Sequence, residues 1–123
     1  MQISKRGVNR KIEEKIFNSL YQVLADMKRP VEVEKFLEDV LSDTERTVLA
    51  KRLGIASYLS ENKSYEAIRG DLKVSSATIA NVQKWLEQGG EGLMIALKRI
   101  EADEWAGKMA GKISQSWKKM WGK

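Results

Sequence analysis

The sequence predicts an all-α fold of about six helices. Apolar residues recur at spacings of three and four, the 123-residue chain holds a single proline (Pro30), and Val, Ile and aromatic residues never alternate over the length of a strand. A first helix is expected from about Val8 to Met27, where Val8, Ile12, Ile16, Leu20, Val23, Leu24 and Met27 form one apolar stripe. Lys28-Arg29-Pro30 ends it, because proline disfavours helical geometry in the residue before it. A short second helix carries Val33, Phe36, Leu37, Val40 and Leu41. Ser42-Asp43-Thr44-Glu45 matches a capping box, with Val48, Leu49, Leu53, Ala56 and Leu59 continuing a third helix. Asn62-Lys63 leads into the next pair of helices. Gln88-Gly89-Gly90-Glu91-Gly92 ends that pair, and Leu93, Ile95, Ala96, Leu97 and Ile100 suit a further helix. No internal repeat or low-complexity segment is present.

Residues 64–86 carry the most information. Ser64 is a good N-cap, since its hydroxyl can accept from a free amide of the first turn. Ile68 and Leu72 fall four apart on one face. Lys73-Val74 break the pattern, and Ser75 or Ser76 can cap a second helix that buries Ile79, Val82 and Leu86. Thr78, Asn81 and Lys84 repeat every three residues on another face. Amide and hydroxyl groups there suit base edges in a major groove, and the lysine suits phosphate. The pattern is a helix-turn-helix. Base contacts are expected from Ser76, Ala77, Thr78, Ala80 and Asn81, and phosphate contacts from Ser64, Tyr65, Arg69 and Lys84, helped by amides at the helix start. A plain helical hairpin in a small bundle would show the same periodicity.

Composition narrows the function classes. The chain has no Cys and no His, which removes the usual zinc site, thiol nucleophile and imidazole base. No carboxylates form a recognisable spaced pair in a site-like context, so neither an enzyme nor a metal or cofactor is expected. No apolar run approaches the roughly 20 residues that span a bilayer, and the expectation is a soluble cytoplasmic protein. The net charge of +5 sits at the end of the chain: residues 105–123 contain Lys108, Lys112, Lys118, Lys119 and Lys123 and no acid. A second basic cluster, Lys5, Arg6, Arg10 and Lys11, precedes any acid. Such ends attract phosphate irrespective of sequence, or form solvated helix faces.

The Val74-Ser75-Ser76-Ala77-Thr78-Ile79 string resembles the turn and helix start of bacterial helix-turn-helix regulators, with two departures: Lys73 replaces the usual turn glycine, and Arg69 a small residue. A left-handed Lys73 would cost roughly 1 kcal/mol against Gly. Together with Leu41-Ser42-Asp43-Thr44-Glu45-Arg46, Leu49, Arg52-Leu53, Ser64 and Leu72, the string resembles the Trp repressor superfamily, in its YerC/YecD branch, over about residues 10–103. The resemblance implies an intertwined helical homodimer whose two helix-turn-helix units meet successive major grooves about 34 Å apart on double-stranded DNA. A related domain in the bacterial replication initiator shares the motif.

In the tryptophan-sensing member, the ligand's indole lies between two arginines beside small residues. Arg52 matches the first arginine and Ser42 a hydroxyl residue near the ligand's amino group. The second arginine position holds Asn81, a glycine position holds Val82, and the serine that receives the ligand is Trp85. The resemblance therefore implies a vestigial pocket, with Trp85 either filling the slot or packing in the core, and no tryptophan corepressor.

The expected organisation is a Trp repressor-like domain over 1–104 and a basic amphipathic tail over 105–123. On a helix Trp105, Met109, Ile113, Trp117 and Trp121, with Met120, share a face away from the lysines. Such a tail suits a protein partner, the dimer itself or an anionic membrane surface. The leading function is a homodimeric, sequence-specific transcriptional regulator, acting as a repressor. The alternative is a protein–protein adaptor using the hairpin and the Trp/Met tail, which predicts weak, salt-insensitive DNA binding.

Overall fold

A computed structural model describes the backbone of residues 7–121 and the side chains of residues 7–110. Those residues form six helices and no strand: α1 (Arg10–Asp26), α2 (Pro30–Val40), α3 (Asp43–Ser60), α4 (Tyr65–Leu72), α5 (Ser76–Glu87) and α6 (Glu91–Trp121). The all-α expectation holds. Lys5, Arg6 and Lys123 of the basic ends lie outside the described residues. The chain divides into two compact units, Met1–Arg46 and Thr47–Lys123.

In the first unit, Asn9 caps α1: its Oδ1 accepts from the Lys11 amide at 2.9 Å. The cap leaves Val8 outside the helix, so α1 starts later than its apolar stripe. Pro30 opens α2 at its first position, where the missing N–H would have had no partner. The capping box forms as expected. The Ser42 amide donates to Glu45 Oε1 at 2.8 Å, and the Glu45 amide donates to Ser42 Oγ at 3.1 Å. The Ser42 amide bond holds the Glu45 carboxyl below the ordinary value of 4.5. Arg46 bonds Asp43 and lies 3.7 Å from Glu38, linking the end of α2 to the start of α3. Neither α1 nor α2 buries a residue. Ile12, Ile16, Leu20 and Val23 remain exposed, Ile16 at 52%. The stripe exists, and the described residues of the first unit leave it exposed.

In the second unit, Ile55, Ala56, Ile68, Ile79 and Val82 are fully buried, with Leu59, Leu72, Leu86, Leu93 and Leu97 packed partly buried around them. The face of α3 bearing Ile55, Ala56 and Leu59 meets this core, whereas Val48, Leu49 and Leu53 stay exposed. Ile55 is thus a core residue that the expected stripe omitted, because α3 carries apolar residues on more than one face. α4 packs on α5 and α5 on α6.

Three joints in this unit end in the left-handed region. Asn62 (φ 60°) follows α3, with its own amide donating to the Leu59 carbonyl at 3.0 Å and the Lys63 amide to Tyr58 at 3.1 Å. Gly89 (φ 85°) follows α5, its amide donating to Leu86 and the Gly90 amide to Trp85. Both are Schellman caps, which satisfy carbonyls that a helix end otherwise leaves unpaired. A Cβ at Gly90 would sit 3.0 Å from the Trp85 carbonyl oxygen, so the close approach needs glycine there. Lys73 (φ 54°) forms the third joint.

α6 runs from Glu91 through Trp121 without interruption, so the boundary expected at 104/105 falls inside one helix. Gly92 is part of α6 rather than of the preceding turn. The tail residues Lys112, Ile113, Trp117, Lys118, Lys119, Met120 and Trp121 fall outside the described side chains. No helix among the described residues is long and apolar enough to cross a membrane.

Candidate nucleic-acid interface

α4 and α5 form the two-helix unit expected over 64–86. Ser64 Oγ accepts from the Ala67 amide at 3.1 Å and starts α4. Lys73 takes the left-handed turn position, and its amide donates to the Arg69 carbonyl at 3.0 Å. Lys51 Nζ donates to the Lys73 carbonyl at 3.2 Å, which secures the turn from α3. Ser75, the first of the two possible caps, starts α5: its Oγ accepts from the Thr78 amide at 3.2 Å and lies 2.9 Å from Thr78 Oγ1.

The expected base-reading residues divide into two sets. Ser76, Ala77, Ala80 and Asn81 are exposed along one side of α5, while Thr78 is half-buried and paired with the capping serine. Among the phosphate candidates, Lys84 and Ser64 are exposed. Arg69 donates to Ser76 Oγ at 2.5 Å, so an expected phosphate contact and an expected base contact are bonded to each other. That bond holds a guanidinium beside the first turn of α5, whose free amides carry the positive end of the helix dipole. Tyr65 is half-buried and donates its hydroxyl to Gln83 Oε1, tying the start of α4 to the middle of α5. Tyr58 donates to Asp71 Oδ2 at 2.9 Å, which raises the phenol above its ordinary value and ties α3 to α4.

A groove of about 350 Å³ runs between α3 and the start of α5, with Lys51, Arg52, Lys73, Ser75 and Thr78 in its walls. Three cations and no carboxylate line it, a composition that suits phosphate. Two structural participants were not singled out from the sequence. Lys51 is adjacent to Arg52 but its partner lies 22 residues away, and Gln83 lies 18 residues from Tyr65. Nothing in the local pattern links either pair.

Of the residues matched to a ligand slot, Val82 is fully buried in the core. Trp85 is 40% exposed and lies outside that core, with the Arg52 guanidinium carbon 5.5 Å from its ring centroid. This is cation–π geometry. Asn81 is exposed, and Ser42 belongs to the first unit, where its amide and hydroxyl serve the capping box.

The family model for the Trp repressor protein matches residues 15–101. The chain belongs to the Trp repressor family. That family is one of helix-turn-helix DNA-binding regulators, not of enzymes. Within it, the chain is 30% identical over 94 residues to the uncharacterized protein YerC of Bacillus subtilis (strain 168), covering 76% of this chain and 90% of that one. Its fold also matches a crystal structure of a candidate Trp repressor from Staphylococcus aureus, with a TM-score of 0.67, 25% identity, and coverage of 82% of this chain and 95% of the other. The Trp repressor match includes α2 to α5 whole and stops early in α6, leaving the Trp/Lys-rich end of that helix outside it.

Proposed function

We propose that this chain is a cytoplasmic, sequence-specific transcriptional repressor that occupies a palindromic operator as a homodimer and needs no tryptophan corepressor. The observation that carries the reading is the geometry at the start of α5. Lys73 turns the chain, Ser75 caps the helix, and Ser76, Ala77, Ala80 and Asn81 stand exposed beside an acid-free groove. A helix presented in this way offers short polar side chains to base edges. Asn81 reads a base through its amide, Ser76, Ala77, Thr78 and Ala80 fit the groove floor, and Ser64, Tyr65, Arg69 and Lys84 meet phosphates. Binding then exchanges the Arg69–Ser76 bond for contacts to DNA.

The homodimer rests on the stripe of α1, a row of aliphatic side chains exposed among the described residues. Independence from tryptophan rests on the Arg52–Trp85 contact and on Val82, which fills core space where a ligand slot would need a small residue. A ligand shifts a population only through differential affinity for its states. With Trp85 already against Arg52, free indole gains no such difference.

Selection from random duplexes tests the reading. Enrichment of a palindrome whose half-sites lie about 10 base pairs apart is expected. Weak binding that ignores both sequence and salt would instead favour an adaptor. Calorimetric titration of free tryptophan should show no heat, and one molecule bound per subunit at micromolar affinity would reinstate the corepressor.

A further inference from the structure

The end of α6 carries chemistry that DNA reading leaves unused. The family match stops at residue 101, and the helix continues to Trp121. Every residue from Glu101 to Ala110 is exposed, Trp105 at 65%, so the second unit leaves the start of this stretch uncovered. At 3.6 residues per turn, Trp105, Met109, Ile113, Trp117, Met120 and Trp121 take positions within one arc of about 160°. Lys108, Lys112, Lys118 and Lys119 take positions on the remaining arc, and residues 105–123 contain no acid.

We propose that residues 105–121 bind the surface of an anionic phospholipid bilayer, lying in the headgroup layer with the tryptophan arc toward the acyl chains. Three features of the segment favour this occupant. Tryptophan joins an apolar ring to a polar N–H, and settles where a hydrocarbon phase meets water. Lysine stems reach along an apolar surface and return their ammonium groups to anionic headgroups. The segment also combines a wide apolar face with a uniformly cationic one, the arrangement of helices that lie in the interface plane.

Other occupants fit less well. Duplex DNA would use the lysines but offers nothing to a three-tryptophan face along its phosphates. Pairing with a second copy of the tail needs apolar residues alternating at three and four along a narrow seam, whereas 105, 109, 113 and 117 step by four, only Met120 adds a step of three, and the positions spread over the whole arc. Globular protein interfaces are depleted of lysine, the commonest charged residue here.

The test uses the full chain and vesicles of phosphatidylglycerol mixed with phosphatidylcholine, against phosphatidylcholine alone. Co-sedimentation with the anionic vesicles only is expected, with a blue shift of tryptophan emission and release at high salt. A lysine near an anionic surface is worth about fivefold in partition, so Lys118→Gln with Lys119→Gln should lower it about 25-fold. Trp117→Ser with Trp121→Ser should remove most of the blue shift. Both double variants should keep the parent's thermal midpoint, so a loss is not unfolding. If the parent ignores anionic vesicles, or the lysine variant partitions as the parent does, the proposal fails. Random-sequence duplex assigns the failure: a loss of duplex affinity in the lysine variant, without vesicle binding by the parent, makes the tail a DNA arm. A fall from dimer to monomer in the tryptophan variant makes it a dimer contact.

Discussion

Asn81 and Lys84 lie three residues apart on α5, both exposed, and their chemistry separates them. The Asn81 amide can donate and accept at once, which matches the N6/N7 edge of adenine, whereas the Lys84 ammonium is a point charge without sequence information. Replacing Asn81 with Ala should cost about 1–3 kcal/mol at one base pair and relax preference there. Replacing Lys84 with Ala should weaken all duplexes alike and lower the salt slope by about one. Competition binding against single-base variants of the selected operator, repeated across salt, measures both. If both variants bind every duplex as the parent does, α5 is not the reader. Lys73 offers a stability test at the same scale. Its left-handed conformation was foreseeable, since a lysine stood where such turns use glycine, and φ is 54°. Lys73→Gly should raise stability by about 0.5–1 kcal/mol, the relief of Cβ crowding less the entropy of the more flexible residue. The Lys51 bond survives, because it goes to the backbone carbonyl. An unchanged urea midpoint would show the turn to be unstrained.

At the scale of elements, the caps decide where helices begin, and they are what the sequence stated best. Ser42-to-Glu45, Ser64 and Ser75 all act through bonds spanning three residues, so a local string contains both partners. The ties between helices were not legible. Arg69–Ser76, Tyr65–Gln83 and Lys51–Lys73 depend on how the turn folds one helix across another. The continuity of α6 was hidden for a different reason: Gly107 and Gly111 each lower local helix stability by about 1 kcal/mol, which is too little to end the helix. Two predictions belong here. Ser75→Ala should cost about 1 kcal/mol through the lost cap, and should weaken DNA binding further because the start of α5 then frays. Hydrogen exchange at the first α5 amides checks it, and unchanged protection there would deny the cap its role. The capping box adds a pH dependence. The Glu45 carboxyl titrates below its ordinary value in the folded chain, so its contribution is present above the unfolded value of 4.5 and is lost as pH falls through the lower folded one. Glu45→Gln keeps an acceptor for the Ser42 amide and removes the titration. The thermal midpoint of the parent should therefore fall more steeply than that of Glu45→Gln below about pH 4.5.

For the whole molecule, the decisive contrast lies between the two units. Among its described residues the second has a core of five fully buried side chains, whereas the first, with an equally regular apolar stripe, buries nothing in α1 or α2. The stripe was legible because helical periodicity is local. Its cover was not, because the proposed partner surface leaves no mark in a local spacing of apolar residues. A second copy is the simplest cover, and twofold symmetry makes each stripe residue count twice. Fully burying an isoleucine is worth about 1.5–3 kcal/mol, and Ile16 has about half of its surface left to bury, so its two copies would contribute roughly 1.5–3 kcal/mol per dimer. Ile16→Lys should then weaken association by at least about 10- to 10²-fold. Light scattering of the parent at micromolar concentration should return twice the chain mass, and its thermal midpoint should rise with concentration. The variant should scatter as a monomer or lose its cooperative transition. In a monomeric protein the same change would touch only an exposed position, 52% open to water, and would alter stability by no more than about 0.5 kcal/mol. A parent of single-chain mass, matched in thermal midpoint by Ile16→Lys, would therefore remove the dimer and with it the spacing expected of the operator.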